Sequence, residues 1–180
     1  MWAFVDSETV EKVYTKPTAT KYGDNQYPAN VMTLWSDAKL RGIGLYRVTV
    51  DNSNLKDKAY YINTNQEFTF DADANTVTAS YGSATAKDLD TLKTEHKQVI
   101  TNQAYSLLQP NDWLVVRKQE AGTAIPDDWS TFRTGVRTAA DSMKTKIDAV
   151  SDVDALAALY VYDDADPPVR PLGEFPTPPE

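Results

Sequence analysis

Residues 76–107 read TVTASYGSATAKDLDTLKTEHKQVITNQAYSL, and the spacing of apolar positions changes inside that stretch. Thr76-Val77-Thr78-Ala79-Ser80-Tyr81 has the two-residue period of a strand. Leu89, Leu92, His96, Val99, Ile100, Gln103 and Leu107 instead recur at steps of three and four, the stripe of a helix. A change of period near Ala86 predicts an α+β fold, with strands before it and helices after it. Three parts follow: a strand-rich head with hairpins over 1–86, a helical hairpin or bundle over 87–149, and an acidic, extended proline-rich C-terminal tail over 150–180.

Towards the N-terminus, Glu67-Phe68-Thr69-Phe70 is a further strand. It is joined to the 76–81 strand through Asp71-Ala72-Asp73-Ala74-Asn75, residues that tolerate hairpin-turn geometry. The alternating Asp71, Asp73 and Asn75 also begin like a calcium loop. That loop requires Gly at its sixth position and Glu at its twelfth, and Thr76 and Gly82 stand there, so no calcium site is predicted. Tyr60-Tyr61-Ile62 reads as a strand, as do Tyr46, Val48 and Val50 alternating with Arg47 and Thr49. A short helix fits between Ser36 as N-cap and Gly42 or Gly44 as terminator. Trp2-Ala3-Phe4-Val5 and Val10-Glu11-Lys12-Val13-Tyr14 flank Asp6-Ser7-Glu8 as a hairpin.

Towards the C-terminus, Pro110 stops the first helix or restarts one at its first turn. Asp112-Trp113-Leu114-Val115-Val116-Arg117 forms a second, shorter helix ending near Gly122. Pro126, Asp127 and Asp128 open a third, with the stripe Trp129, Phe132, Val136, Ala139, Ala140, Met143 and Ile147. The first and third helices are expected to pack antiparallel around the second and to bury Leu92, Val99, Val136 and Met143. The same stripes could pair between copies in a homo-oligomer. Asp154 to Leu159 reads as one more helical turn and Tyr160-Val161-Tyr162 as a strand.

From about residue 164 the chain is expected to stay out of the core. Six of the ten prolines lie in Pro167–Pro179, which denies backbone donors and favours an extended conformation. Val169, Leu172 and Phe175, spaced by three, then share one face. Leu172 and Phe175 are expected to enter pockets on a neighbouring protein.

The 180 residues carry 18 basic and 26 acidic side chains, a net charge of −8. By part the charge is −2 over 1–86, 0 over 87–149 and −6 over 150–180, so the acidity belongs to the tail. Nucleic-acid and anionic-membrane partners need a basic surface and are not expected. The first residues have neither the basic flank nor the apolar length of a signal peptide, and no apolar run is long enough for a transmembrane helix. Expression in a cytoplasm is therefore expected.

Cysteine is absent, which excludes disulfides, thiol nucleophiles and thiolate metal sites. A single histidine, His96, rules out a three-histidine zinc centre, and its place on an apolar stripe favours a structural role. Gly42-Ile43-Gly44 lacks the third glycine of a phosphate loop, and no Gly-x-Ser-x-Gly elbow occurs. No catalytic, metal or cofactor residue is assigned; the chain is expected to be no enzyme and to need no cofactor. One cluster is unusual: Trp113, Arg117, Trp129, Arg133 and Arg137. It reads either as a core tryptophan pair with arginines bonded to Asp112, Glu120 or carbonyls, or as a surface for an acidic or aromatic partner segment. Trp and Arg are favoured interface anchors.

The run Leu107-Leu108, Asp112-Trp113, Arg117, Glu120, Gly122, Pro126, Trp129, Arg133 and Arg137 resembles the C-terminal segment of phage tail assembly chaperone proteins and their tail-fibre-associated relatives. Tyr27-Pro28 through Trp35 to Leu40, Gly42 and Ile43 is similar to their N-terminal part, where a strand-rich head precedes the helices. Pro110-Asn111 stands where those proteins often carry a Thr cap, and the proline-rich tail lies outside the resemblance. The resemblance implies a non-enzymatic bacteriophage protein, located in the virion tail or in the host cytoplasm during assembly. It would act on other tail, fibre or baseplate proteins as a structural or assembly component. A transient chaperone absent from the mature virion is the alternative, and a host-protein inhibitor or an unrecognised enzyme are alternatives of another class.

Overall fold

A computed structural model describes residues 1–179. The chain is mixed α+β, with strands first and helices after, in two compact units: Met1–Thr85, and a second beginning at Ala86.

In the first unit β1 (Trp2–Asp6) and β2 (Thr9–Tyr14) form the expected antiparallel hairpin. Ser7 and Glu8 make its turn at φ 50° and 64°, the left-handed pair that matches strand twist in a two-residue turn. A small hairpin of β3 (Thr20–Tyr22) and β4 (Asn25–Tyr27) precedes the short helices α1 (Val31–Leu34) and α2 (Asp37–Arg41). Ser36 occupies the N-cap position of α2 and Gly42 its C-cap. Gly44 is required for a different reason. Its φ is 72°, and a Cβ there would lie 2.8 Å from the Val5 carbonyl oxygen.

That approach lets β5 (Leu45–Asp51) run antiparallel to β1. After β6 (Tyr61–Ile62), β7 (Gln66–Asp71) and β8 (Thr76–Tyr81) form the second expected hairpin. In its turn the Asp71 carboxylate accepts from the Ala74 amide at 2.9 Å, as turn-forming aspartates do. The sheet order is β2-β1-β5-β8-β7, and β5 pairs with β8 in parallel. Its outer strands β2 and β7 approach one another, so the sheet curls into a half-barrel. Alternation along β1 separates two cores. Trp2 and Phe4 face Tyr14, Met32, Leu40 and Leu45, whereas Ala3 and Val5 pack with Val77 and the rings of Phe68 and Phe70.

β9 (Thr85–Ala86) leads into α3 (Leu89–Leu108), whose Asp88 cap accepts from the Thr91 amide at 2.8 Å. A single 3-10 turn holding Pro110 connects α3 to α4 (Trp113–Ala121), which ends at left-handed Gly122. Then come α5 (Asp127–Ala149) and α6 (Val153–Ala158). α3 and α5 pack antiparallel as expected. Lys97 pairs with Asp148 at 2.6 Å at one end, and Arg133 donates to the Leu108 carbonyl at 3.1 Å at the other. Leu92, Val136 and Met143 are buried, but Val99 is 49% exposed. The buried row of α3 runs Leu92, Ile100, Ala104, and Val99 lies one residue, about 100°, off that row.

The C-terminal segment corrects two further expectations. Tyr160-Val161-Tyr162 forms no strand, because this unit offers no sheet among its described residues to pair with; Tyr160 instead sets its hydroxyl 2.6 Å from His96 Nδ1. Nor does the tail stay out of the core. The acids of 163–169 are exposed as expected, yet Leu172 is 1% exposed, and its amide donates to the Leu159 carbonyl at 2.9 Å. Lys146 Nζ donates to the carbonyls of Pro171 at 2.7 Å and Leu172 at 3.2 Å. Pro176 rests against Gly135, where an added Cβ would meet the proline Cγ at 3.3 Å. The rule that prolines cannot join helices or central strands holds here, but it does not prevent an irregular segment from burying a leucine. Leu172→Ala should therefore lower stability by about 2–4 kcal/mol. Urea denaturation of the full chain measures this, and an unchanged midpoint would mean that the tail is not part of the fold.

Candidate protein-interaction site

The corner where α3 gives way to α4 and α5 begins contains the Trp/Arg cluster. Arg133 is its fixed point, 5% exposed on the inward face of α5. Its guanidinium donates to the Leu108 carbonyl at 3.1 Å, to Asn111 Oδ1, and to Asp112 Oδ1 at 2.7 Å. Asn111 is 3% exposed and sends its own amide to the Leu107 carbonyl at 3.0 Å. A buried guanidinium needs acceptors, and this corner supplies three of different kinds. Arg133 is thus the arginine that bonds Asp112 and a carbonyl. It is not open to a partner, which corrects its assignment as a contact residue. Asn111 has no signal in the sequence beyond the proline before it, since only the fold shows that Arg133 needs a second neutral acceptor.

Arg117 is placed differently. Its guanidinium lies over the Trp113 ring, 4.8 Å from the centroid, and its Nε is buried with no hydrogen-bond partner. Trp113 is 57% exposed, and the neighbouring Val115 and Val116 are 43% and 53% exposed. Trp129 is half-buried, edge to face with Phe132 at 5.8 Å. Trp113, Arg117 and Trp129 join Pro110, Leu114 and Pro126 around a cleft of about 290 Å³. Arg137 is exposed and is not a wall of this cleft; its only hydrogen bond within the described residues is a long one, 3.5 Å, to the Arg133 carbonyl.

Compared with known proteins, the chain matches no family model, no curated protein and no solved structure.

The two tail residues lie elsewhere. Leu172 is in the core of its own chain, so it cannot reach into a neighbour's pocket. Phe175 is half-buried between the α3 side chains of Val99, Gln103 and Leu107 and the α5 positions Thr134, Gly135 and Thr138. Hollows of about 820 and 530 Å³ flank it, walled mainly by hydroxyls, amides and apolar groups, with Arg170 and Glu174 paired to each other at 2.7 Å.

The titratable groups that depart from ordinary behaviour do so for structural reasons. Asp88 and Asp152 are pulled down by the helix-cap hydrogen bonds they accept. His96 is held below its ordinary 6.5, chiefly by burial, with the Glu95 carboxylate working in the opposite direction. None of the three lines the tryptophan cleft.

Arg133→Met keeps the bulk of the side chain but strips Asn111, Asp112 and the Leu108 carbonyl of their donor. It should cost about 2–4 kcal/mol in chemical denaturation, and a loss near zero would show that the tie adds nothing. Below about pH 6.5 the unfolded chain takes up a proton on His96 that the folded chain resists. The stability present above that pH should therefore fall as pH drops towards the lower folded value. Melting curves from pH 7.5 to pH 5 should be flatter for His96→Gln, and identical slopes would exclude His96 as a source of the dependence.

Proposed function

We propose that this protein is a non-enzymatic component of a bacteriophage tail, tail fibre or baseplate, acting through protein–protein contacts. The observation that carries the reading is Arg117 stacked on the exposed Trp113 with a buried Nε that has no acceptor. A monomer has little use for an exposed indole beside a cation that has no carboxylate partner, whereas a docking surface uses both. The resemblance to tail assembly chaperone proteins and tail-fibre-associated relatives supports the setting. Its motif residues divide physically: Leu107, Leu108, Asp112, Gly122 and Arg133 build the corner, and Trp113 is left exposed with the half-buried Arg117 stacked on it.

In this reading the protein resides in the virion tail, or in the host cytoplasm while the tail is assembled. Its partners are other tail proteins. The proline-rich tail would contribute the half-buried Phe175 and the exposed acids of 163–169 to those contacts, not Leu172. Mass spectrometry of purified particles tests the placement. Presence in fixed copy number supports a built-in component. Recovery with tail proteins from infected cells but not from particles identifies the transient chaperone. Recovery with neither overturns the reading. Arg117→Met should reduce co-purification with tail proteins about tenfold while leaving the melting temperature near that of the parent, because Arg117 makes no hydrogen bond that holds the fold.

A further inference from the structure

We infer that the cleft between Trp113 and Trp129 receives an extended, proline-bearing segment of a partner protein, with a partner carboxylate accepting from Arg117. This rests on reading the corner as a docking surface and names what docks there.

The walls define the shape of the guest. Two indoles and two proline rings, from Trp113, Trp129, Pro110 and Pro126, bound a space of about 290 Å³ with Leu114 behind. A helix is roughly 10–12 Å across with its side chains and does not fit between such walls. A proline ring does, because its flat apolar face stacks on an indole. Grooves walled by aromatic rings are a recurring receptor for polyproline II segments.

Hydrogen-bond accounting defines the guest's polarity. Asn111, at the base of the cleft, is satisfied within the chain through Leu107 and Arg133. The charge of Arg133 is met by Asp112 at 2.7 Å. Arg117, half-buried in the wall of the cleft, has no carboxylate within ion-pair distance among the described residues. The cleft thus offers one cation with no carboxylate partner, and it asks for an acceptor with negative charge. An extended segment can supply one at low cost, since its backbone makes no internal hydrogen bonds and its carbonyls and acidic side chains point outward. Trp113 is already held over the guanidinium, so little ordering is needed when the guest arrives.

The full-length protein can be titrated with a blocked peptide of repeated Pro-Pro-Glu, following tryptophan fluorescence and heat. Two control peptides are the same sequence with Gln for Glu and an alanine–glutamate helix former of equal charge. The Pro-Pro-Glu peptide should bind with a dissociation constant on the order of 10⁻⁴ M, and the Gln peptide about tenfold more weakly. Arg117→Met should bring the two proline peptides to equal affinity. Trp113→Ala should weaken both about tenfold or more. If Trp113→Ala fails to fold, Arg117→Met alone decides, because its guanidinium has no acceptor to lose.

Absence of binding at millimolar peptide, equal affinity of Glu and Gln peptides for the parent protein, or equal binding of the helix former would each overturn the inference. Self-association in light scattering that Trp113→Ala abolishes would show that the cleft is filled by a second copy, which also overturns it. The titration does not depend on any particle. Loss of peptide binding removes this occupant, whereas absence from particles and tail complexes removes the phage-tail placement.

Discussion

The guanidinium of Arg133 lies almost wholly out of water, and a charge in that position has to find acceptors nearby. It finds them on the end of α3, on the 3-10 turn and at the start of α4, and this fixes where α5 begins relative to all three. The antiparallel pairing of α3 and α5 follows, with Phe132, Val136, Ala140, Met143 and Ile147 facing Leu92, Ile100 and Ala104. At the opposite end Lys93 and Lys97 both reach Asp148, but these contacts lie at the surface and contribute less. The apolar stripe provides most of the stabilisation, and the buried arginine sets the register.

The contrast between Arg133 and Arg117 gives the site its meaning. They are 16 positions apart in the chain (133 − 117), close to the same corner, and of the same residue type. One has all its acceptors inside the fold. The other has an indole for company and a buried N–H with nothing to bond. An unmet buried donor costs about 1–3 kcal/mol, which the packing around it has to offset. Trp113 stays over the guanidinium for the same reason: the stacking replaces part of the hydration that Arg117 has lost.

In the strand-rich unit the same logic acts through backbone geometry. The positive φ of Gly44 and its contact with Val5 bring β5 alongside β1, and the other edge of β5 then accepts β8 in parallel. Curling the sheet lets both faces of β1 be buried, so Trp2 and Phe4 serve one core and Ala3 and Val5 another. Neither hairpin alone implies that order, because local alternation says which residues share a face and nothing about which strand lies beside it.

The hairpins at Ser7-Glu8 and Asp71–Asn75, the change to helices after Ala86, the stop at Gly122 and the start at Asp127 were all legible in the sequence. Each depends on a few neighbouring residues: turn formers, a period of two or 3.6, a left-handed glycine, acids in a first helical turn. Of the candidate site, the sequence brought Trp113, Arg117, Trp129, Arg133 and Arg137 into one group but could not sort them. Burial of Arg133, isolation of Arg117, exposure of Val99 and of Arg137, and the removal of Leu172 into the core all depend on side chains far apart in the chain. Leu172 shows the limit most plainly. Prolines around it forbid regular structure, which is a local property. Whether an irregular segment is buried depends on a hydrophobic gap beside α6 and α5 and on the Leu159 and Lys146 groups that complete its hydrogen bonds. Local chemistry determined the elements; the positions of acceptors and apolar gaps, which exist only once the helices are packed, decided which residues are buried and which stay exposed.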